Sequence, residues 1–236
     1  MKLVRRHSWN LNPKQAIRLQ LRLSEKLVFG NSCKCPVKLK NLRLVAGADV
    51  SYSKKTDTCY AAIVVFDVSS EEIIEKRTSV QKSKYPYIPG LLSFREAPPL
   101  IAAFSRLKND PDLLVFDAQG IAHPRRFGLA SHLGYLYDKP SIGCAKSLLI
   151  GEYNPPGTKR GDWSYIRHKE ETIGMAFRSK SGCKPIYLSP GHLMDMEWIR
   201  GFFKRLKGKY RLPDITRLAH ILSNAVRTEY ESAVKK

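Results

Sequence analysis

Three acidic residues stand out for what surrounds them. Asp49 interrupts an apolar, small-residue run, between Ala46-Gly47-Ala48 and Val50. Glu96 follows Phe94-Arg95 at the start of a helix-forming segment, and Asp117 closes the apolar run Leu113–Phe116, leading into Ala118-Gln119-Gly120. Taken singly, a carboxylate at a strand end is usually a turn or cap residue, and a glutamate in a first helical turn simply suits the helix dipole. Brought together, three carboxylates repel one another and are costly unless a cation neutralises them. Hard oxygen donors of this kind suit Mg²⁺ or Mn²⁺. Such an ion can activate water, stabilise a leaving oxygen and clamp a phosphodiester in line.

Whether the three meet depends on the elements that carry them. Residues 42–52, 58–68 and 72–80 read as consecutive strands, with hairpin-length turns at 54–57 and 69–71. A helix is expected from about 94 to 108, with Pro98 and Pro99 near its first turn, where a missing N–H costs least. Leu113–Phe116 has the wholly apolar character of a strand buried on both faces. A helix over 128–137 and a strand over 141–144 follow. The order β-β-β-α-β-α-β predicts an α/β fold with a mixed sheet flanked by helices. In that order the middle of the first strand, the start of the first core helix and the end of the fourth strand can converge on one edge.

Around this core, Asn12-Pro13 signals a helix start, although Ile17, Leu19, Leu21 and Leu23 alternate like a strand. Cap and composition favour a helix over about 12–29, then a Cys/Pro/Lys-rich connector over 30–40. A hairpin (163–168 and 172–178), a short strand (184–188) and helices over 192–207 and 214–227 complete one domain spanning 1–236. Met175 and Trp198 are expected in the core.

The chain has 236 residues, with 41 Lys plus Arg against 21 Asp plus Glu, a formal charge of +20. An excess of this size points to a polyanionic partner, nucleic acid first. The longest apolar stretch, Ala61–Phe66, is far short of the ~20 residues a spanning helix needs. The basic N-terminus has no apolar run behind it, so no secretory signal is expected. Five scattered cysteines, an odd number, suit a reduced, cytoplasmic protein. The basic runs at 159–160, 167–169 and 204–211 are solvated faces or phosphate contacts.

Four segments carry a family likeness. Ala46–Tyr52 (AGADVSY), Tyr87–Glu96 (YIPGLLSFRE), Asp117–Gly134 (DAQGIAHPRRFGLASHLG) and Ile142–Ser147 (IGCAKS) resemble the signature blocks of endonuclease V, in that family's order. The likeness runs from about residue 42 to 151, and Thr216–Ile221 (TRLAHI) extends it. The resemblance implies a ribonuclease-H-like fold and a DNA repair enzyme that nicks the second phosphodiester bond 3′ to deoxyinosine. It implies Mg²⁺ or Mn²⁺ as cofactor and 3′-hydroxyl and 5′-phosphate ends. Asp49, Glu96 and Asp117 match the family's metal-binding and catalytic carboxylates, and Lys146 its catalytic lysine. His220 and His123 match histidines near the site, suited to positioning water or phosphate. Pro86-Tyr87-Ile88-Pro89 resembles the strand-separating wedge, and Gly90, Leu92 and Gly120 are candidates for the base pocket.

The partner implied is DNA containing deoxyinosine, with no membrane and no obligate protein partner. Two alternatives stay open: an inosine-specific ribonuclease of the same fold, since some family members prefer RNA, and a non-catalytic nucleic-acid-binding protein.

Overall fold

The structure is a computed structural model that describes residues 1–30, 33, 35–207 and 209–233; parts of the connector (31, 32 and 34) and Gly208 of the third basic run lie outside it. β1 (Leu44–Ser53), β2 (Thr58–Asp67) and β3 (Glu72–Lys82) form an antiparallel meander. α2 (Leu92–Phe104), β4 (Leu113–Phe116), α3 (Leu129–Tyr137) and β5 (Ser141–Ala145) follow in the predicted order. β1, β4 and β5 run parallel. The later strands, β6 (Trp163–His168), β7 (Glu171–Phe177) and β8 (Ile186–Pro190), extend the same sheet, β8 pairing antiparallel with β5. The result is one eight-stranded mixed sheet, ordered β3-β2-β1-β4-β5-β8-β7-β6.

Period-two alternation along β1 and β4 divides the core into two layers. Ala46, Ala48, Leu114 and Phe116 pack under α2 and α3, with α1 (Pro13–Ser24) at their edge. Val45, Leu113 and Val115 face α4 (Met196–Arg205) and α5 (Asp214–Ala233) on the other side. Met175 and Trp198 belong to this second layer, as expected.

Three helices differ in detail from expectation. In α1 the cap overrides the strand-like alternation. Asn12 and Gln15 form a reciprocal capping box, so Ala16, Leu19, Gln20 and Leu23 are buried while Leu21 is 48% exposed. α2 begins at Leu92, which moves Pro98 and Pro99 from the first turn to mid-helix. Pro99 leaves the Arg95 carbonyl without its helical donor. The Cys59 thiol approaches that carbonyl at 3.9 Å, and Ser79 Oγ donates to Pro99 O at 2.6 Å. α4 starts at Met196, where Asp195 Oδ1 accepts from Trp198 N at 2.7 Å, so His192 lies in the preceding loop. Among the described residues no helix is long and apolar enough to cross a membrane.

Candidate active site

Asp49 projects from the middle of β1 towards α5, and Asp117 is the first residue after β4. The Asp117 N–H donates to Ala48 O at 3.0 Å, which extends the β1–β4 ladder by one bond and sets the two acids side by side. α5 can approach because residue 47 is glycine: a Cβ there would lie 1.9 Å from Ile215 O. From α5, Ser223 Oγ donates to Asp49 Oδ2 at 2.6 Å, and His220 Nδ1 donates to the same oxygen at 3.1 Å. Ligand atoms of Asp49, Asp117 and His220 all lie within 4.8 Å of one another. Lys146, just after β5, places Nζ 2.6 Å from Asp117 Oδ2 and 3.5 Å from His220 Nδ1.

Glu96 does not join that tight group, but its charge is felt there. Burial, then the neighbouring Asp49 charge, push its carboxyl up to about 8, against the opposing pull of Arg95. Burial also raises Asp117, opposed by the hydrogen bond and charge of Lys146. His220 is raised too, first by its hydrogen bond to Asp49, which favours its charged form. Arg95 is itself buried, stacked 3.3 Å from the centroid of the Tyr52 ring.

A cavity of about 340 Å³ opens beside the cluster and shares Asp117 and Lys146 with it. Tyr87, Ile88, Pro89, Gly90, Leu92 and His123 line it as well. Pro86 is exposed and outside the lining, and Tyr87 is 68% exposed. Gly120 also falls outside the lining. Its N–H donates to Ser189 Oγ at 2.8 Å, and a Cβ would meet Pro190 O at 2.0 Å. It is a glycine because β8 passes against it, not because a base must.

His123 lines the cavity without a free nitrogen. Nδ1 accepts from Arg125 N at 3.2 Å, and Nε2 donates to Gly90 O at 3.0 Å. Burial lowers its pKa to about 4, and its two contacts tie it to the Gly90 loop. Arg211, in the third basic run, is likewise internal: it donates to Lys146 O at 2.6 Å and Pro185 O at 2.8 Å.

Sequence reasoning missed Ser223, Arg95, Ser93 and Gln119. Ser223 had a signal, since it stands three residues after His220 on one helical face. The others stand inside the blocks 87–96 and 117–134, but their spatial neighbours come from distant segments, so the blocks alone do not show what each touches.

A β-β-β-α-β-α-β sheet with acids side by side on adjacent parallel strands, one in mid-strand and one just past a strand end, is the architecture of a ribonuclease-H-like nuclease. Residues 25–221 match the family model described as Endonuclease V. Endonuclease V of Myxococcus xanthus is 46% identical over 219 residues, covering 93% of this chain and 91% of that protein. The crystal structure of endonuclease V from Streptomyces avermitilis superposes with a TM-score of 0.87 at 36% identity, covering 95% and 96% of the two chains. That from Bacillus subtilis gives 0.92 at 28% identity, covering 99% and 100%. Endonuclease V of Ciona intestinalis, crystallised with a 24mer DNA containing an inosine followed by a ribo-adenosine, gives 0.79 at 28% identity over 90% of this chain and 96% of that one. The chain belongs to the endonuclease V family.

Proposed function

We propose that the chain is a DNA repair endonuclease that recognises deoxyinosine and hydrolyses the second phosphodiester bond on its 3′ side. It leaves 3′-hydroxyl and 5′-phosphate ends and uses Mg²⁺, with Mn²⁺ able to substitute. The observation that carries this reading is the juxtaposition of the Asp49–Asp117–His220 cluster and Lys146 with the Tyr87–Gly90 cavity. The complex of the Ciona relative with inosine-containing DNA supports the substrate.

The donor set fits a hard divalent cation. Asp49 and Asp117 supply anionic oxygens, with Glu96 as a third carboxyl in electrostatic reach. His220 and Ser223 both donate to Asp49 Oδ2, which fixes its orientation and leaves Oδ1 for the ion. When bound, the ion supplies water activation and neutralises charge on the phosphate. Lys146 holds its ammonium at the cluster's edge, where it meets the scissile phosphate or the departing oxygen. Tyr87, Ile88 and Pro89 fill the stack that an extruded base vacates, and the cavity receives the base. The +20 charge supplies a sequence-independent grip on phosphates.

Matched DNA and RNA oligomers carrying one inosine, incubated in Mg²⁺ and in EDTA, test the reading. The DNA is expected to be nicked one nucleotide beyond the inosine's 3′ neighbouring bond, and EDTA to abolish the cut. Cutting of the RNA strand alone makes the protein an inosine-specific ribonuclease. Binding of both without cutting makes it a non-catalytic reader.

A further inference from the structure

Lys146 stands where the sheet stops holding its backbone. β5 pairs with β8 as far as Ala145, opposite Tyr187, and Lys146 is the first residue beyond that ladder. Two side chains from distant segments take over. Gln119 Nε2 donates to Ser147 O at 3.0 Å, and Arg211 Nη2 donates to Lys146 O at 2.6 Å. Arg211 also reaches the chain entering β8: Nη2 donates to Pro185 O at 2.8 Å and Nε to Lys184 O at 3.0 Å. Its own carbonyl accepts from Ser179 Oγ. Among the described residues no carboxylate pairs with Arg211, so its guanidinium is directed at these three carbonyls.

What Arg211 holds is the root of a flexible side chain. A lysine ammonium is a compact charge on a four-carbon stem, so the stem's root decides where the charge can reach. Nζ of Lys146 lies 2.6 Å from Asp117 Oδ2 and 3.5 Å from His220 Nδ1, between an acid that follows β4 and a histidine on α5. Arg211 stands three residues before Asp214, the first residue of α5, the helix that brings His220 and Ser223 to Asp49. One guanidinium thus joins the root of Lys146 to the entry of α5 and to the start of β8. Its planar fork of fixed donors can hold three carbonyls at once, which a single ammonium in its place cannot do with fixed geometry.

We propose that Arg211 is a positioning residue for Lys146: it fixes the lysine's backbone against the entry of α5, so that ammonium, acids and histidine keep one geometry. The inference rests on the nuclease activity proposed above, with Lys146 at the scissile phosphate. Arg211 bonds none of the site carboxylates and is outside the cavity lining, so it acts only through the lysine it holds. A displacement of about 1 Å in a transition-state contact is enough to slow a reaction without altering how substrate is bound. The loss on removing Arg211 therefore belongs in kcat rather than KM, and it disappears once Lys146 is gone.

A double-variant cycle on the cleavage of inosine-containing DNA in Mg²⁺ tests this. Arg211→Met keeps an unbranched apolar stem and removes the donors, and is expected to lower kcat about tenfold with KM close to wild type. In a Lys146→Ala background the same change is expected to cost less than about twofold, because the group it positions is already absent. Arg211→Lys is expected to fall between wild type and Arg211→Met. A merely structural role predicts equal losses in both backgrounds, and that result overturns the proposal, as does an unchanged kcat in Arg211→Met. Should Arg211→Met fail to fold, Arg211→Lys passes through the same cycle and the same two results decide. A wild type that cuts inosine in neither DNA nor RNA sinks the nuclease reading and takes this one with it. A wild type that cuts and a slow Lys146→Ala, beside equal losses from Arg211→Met in both backgrounds, remove Arg211 alone.

Discussion

The carboxylate cluster and the cavity next to it share Asp117 and Lys146, yet they are built in opposite ways. The cluster sits on strand and helix residues whose charged atoms face one another: Asp49 on β1, Asp117 at the end of β4, His220 and Ser223 on α5. The cavity is made of loop backbone, apolar side chains and one imidazole, His123, whose two nitrogens are already engaged. Charge concentrated on rigid elements suits bond breaking, where a cation and a phosphate must be held without rearrangement. Neutral, pre-satisfied polar groups suit base reading, where a misplaced proton rejects the wrong ring.

Removing a cluster acid gives the largest expected effect. Asp49→Ala or Asp117→Ala is expected to reduce cutting of inosine-containing DNA by more than about a thousandfold, by loss of the ion and its charge neutralisation, while binding stays measurable. Full activity in either variant breaks the division between chemistry and recognition. Lys146→Ala is expected to lower kcat about a hundredfold with little change in KM, since one transition-state contact is lost. A change confined to KM would move Lys146 to the recognition side.

A smaller effect sharpens the role of α5. Ser223→Ala removes one of two donors to Asp49 Oδ2 and is expected to cost about tenfold in activity, recovered in part by raising the metal concentration. Loss that metal cannot recover would indicate displacement of the helix. Metal titrations of the variant and wild type separate the two.

The smallest expected effect concerns stability and tests the neutrality of the cavity side. His7, His123, His132 and His192 all have pKa values lowered by burial, His123 from 6.5 to about 4. Between those pH values the unfolded chain binds more protons than the folded one. The stability these groups support is present above pH 6.5 and is lost as pH falls towards 4. Thermal midpoints recorded across that range are expected to fall with acid. In His123→Asn the slope is expected to be shallower, and an unaltered slope would mean that His123 is not buried neutral.

Much of the fold was legible because local signals agreed. The strand-rich stretch 42–80 with its two hairpin turns, the wholly apolar Leu113–Phe116 and the Asn12 cap each pointed to the observed element. The mid-helix position of Pro98 and Pro99 was not legible, because side chains from β2 and β3 reach the carbonyls beside them. At the site, Asp49 and Asp117 were visible as charges in apolar settings and Lys146 through the family likeness, and the structure brings them together. Gly120, a candidate for the base pocket, packs against β8 outside the cavity lining. A glycine in a motif signals close approach, but sequence does not say whether a base or the protein's own β8 approaches.

The sequence by itself determined which residue types could do chemistry, the order of elements that carries them, and through its +20 charge the class of partner. Tertiary structure alone decided that α5 supplies His220 and Ser223 to Asp49, that Glu96 is buried beside the Asp49 charge, and that His123 Nε2 donates to Gly90 O. The reason is physical: composition and periodicity are properties of neighbours along the chain. Burial, proton position and the pairing of Asp49 with a residue 174 positions away arise only when distant segments meet.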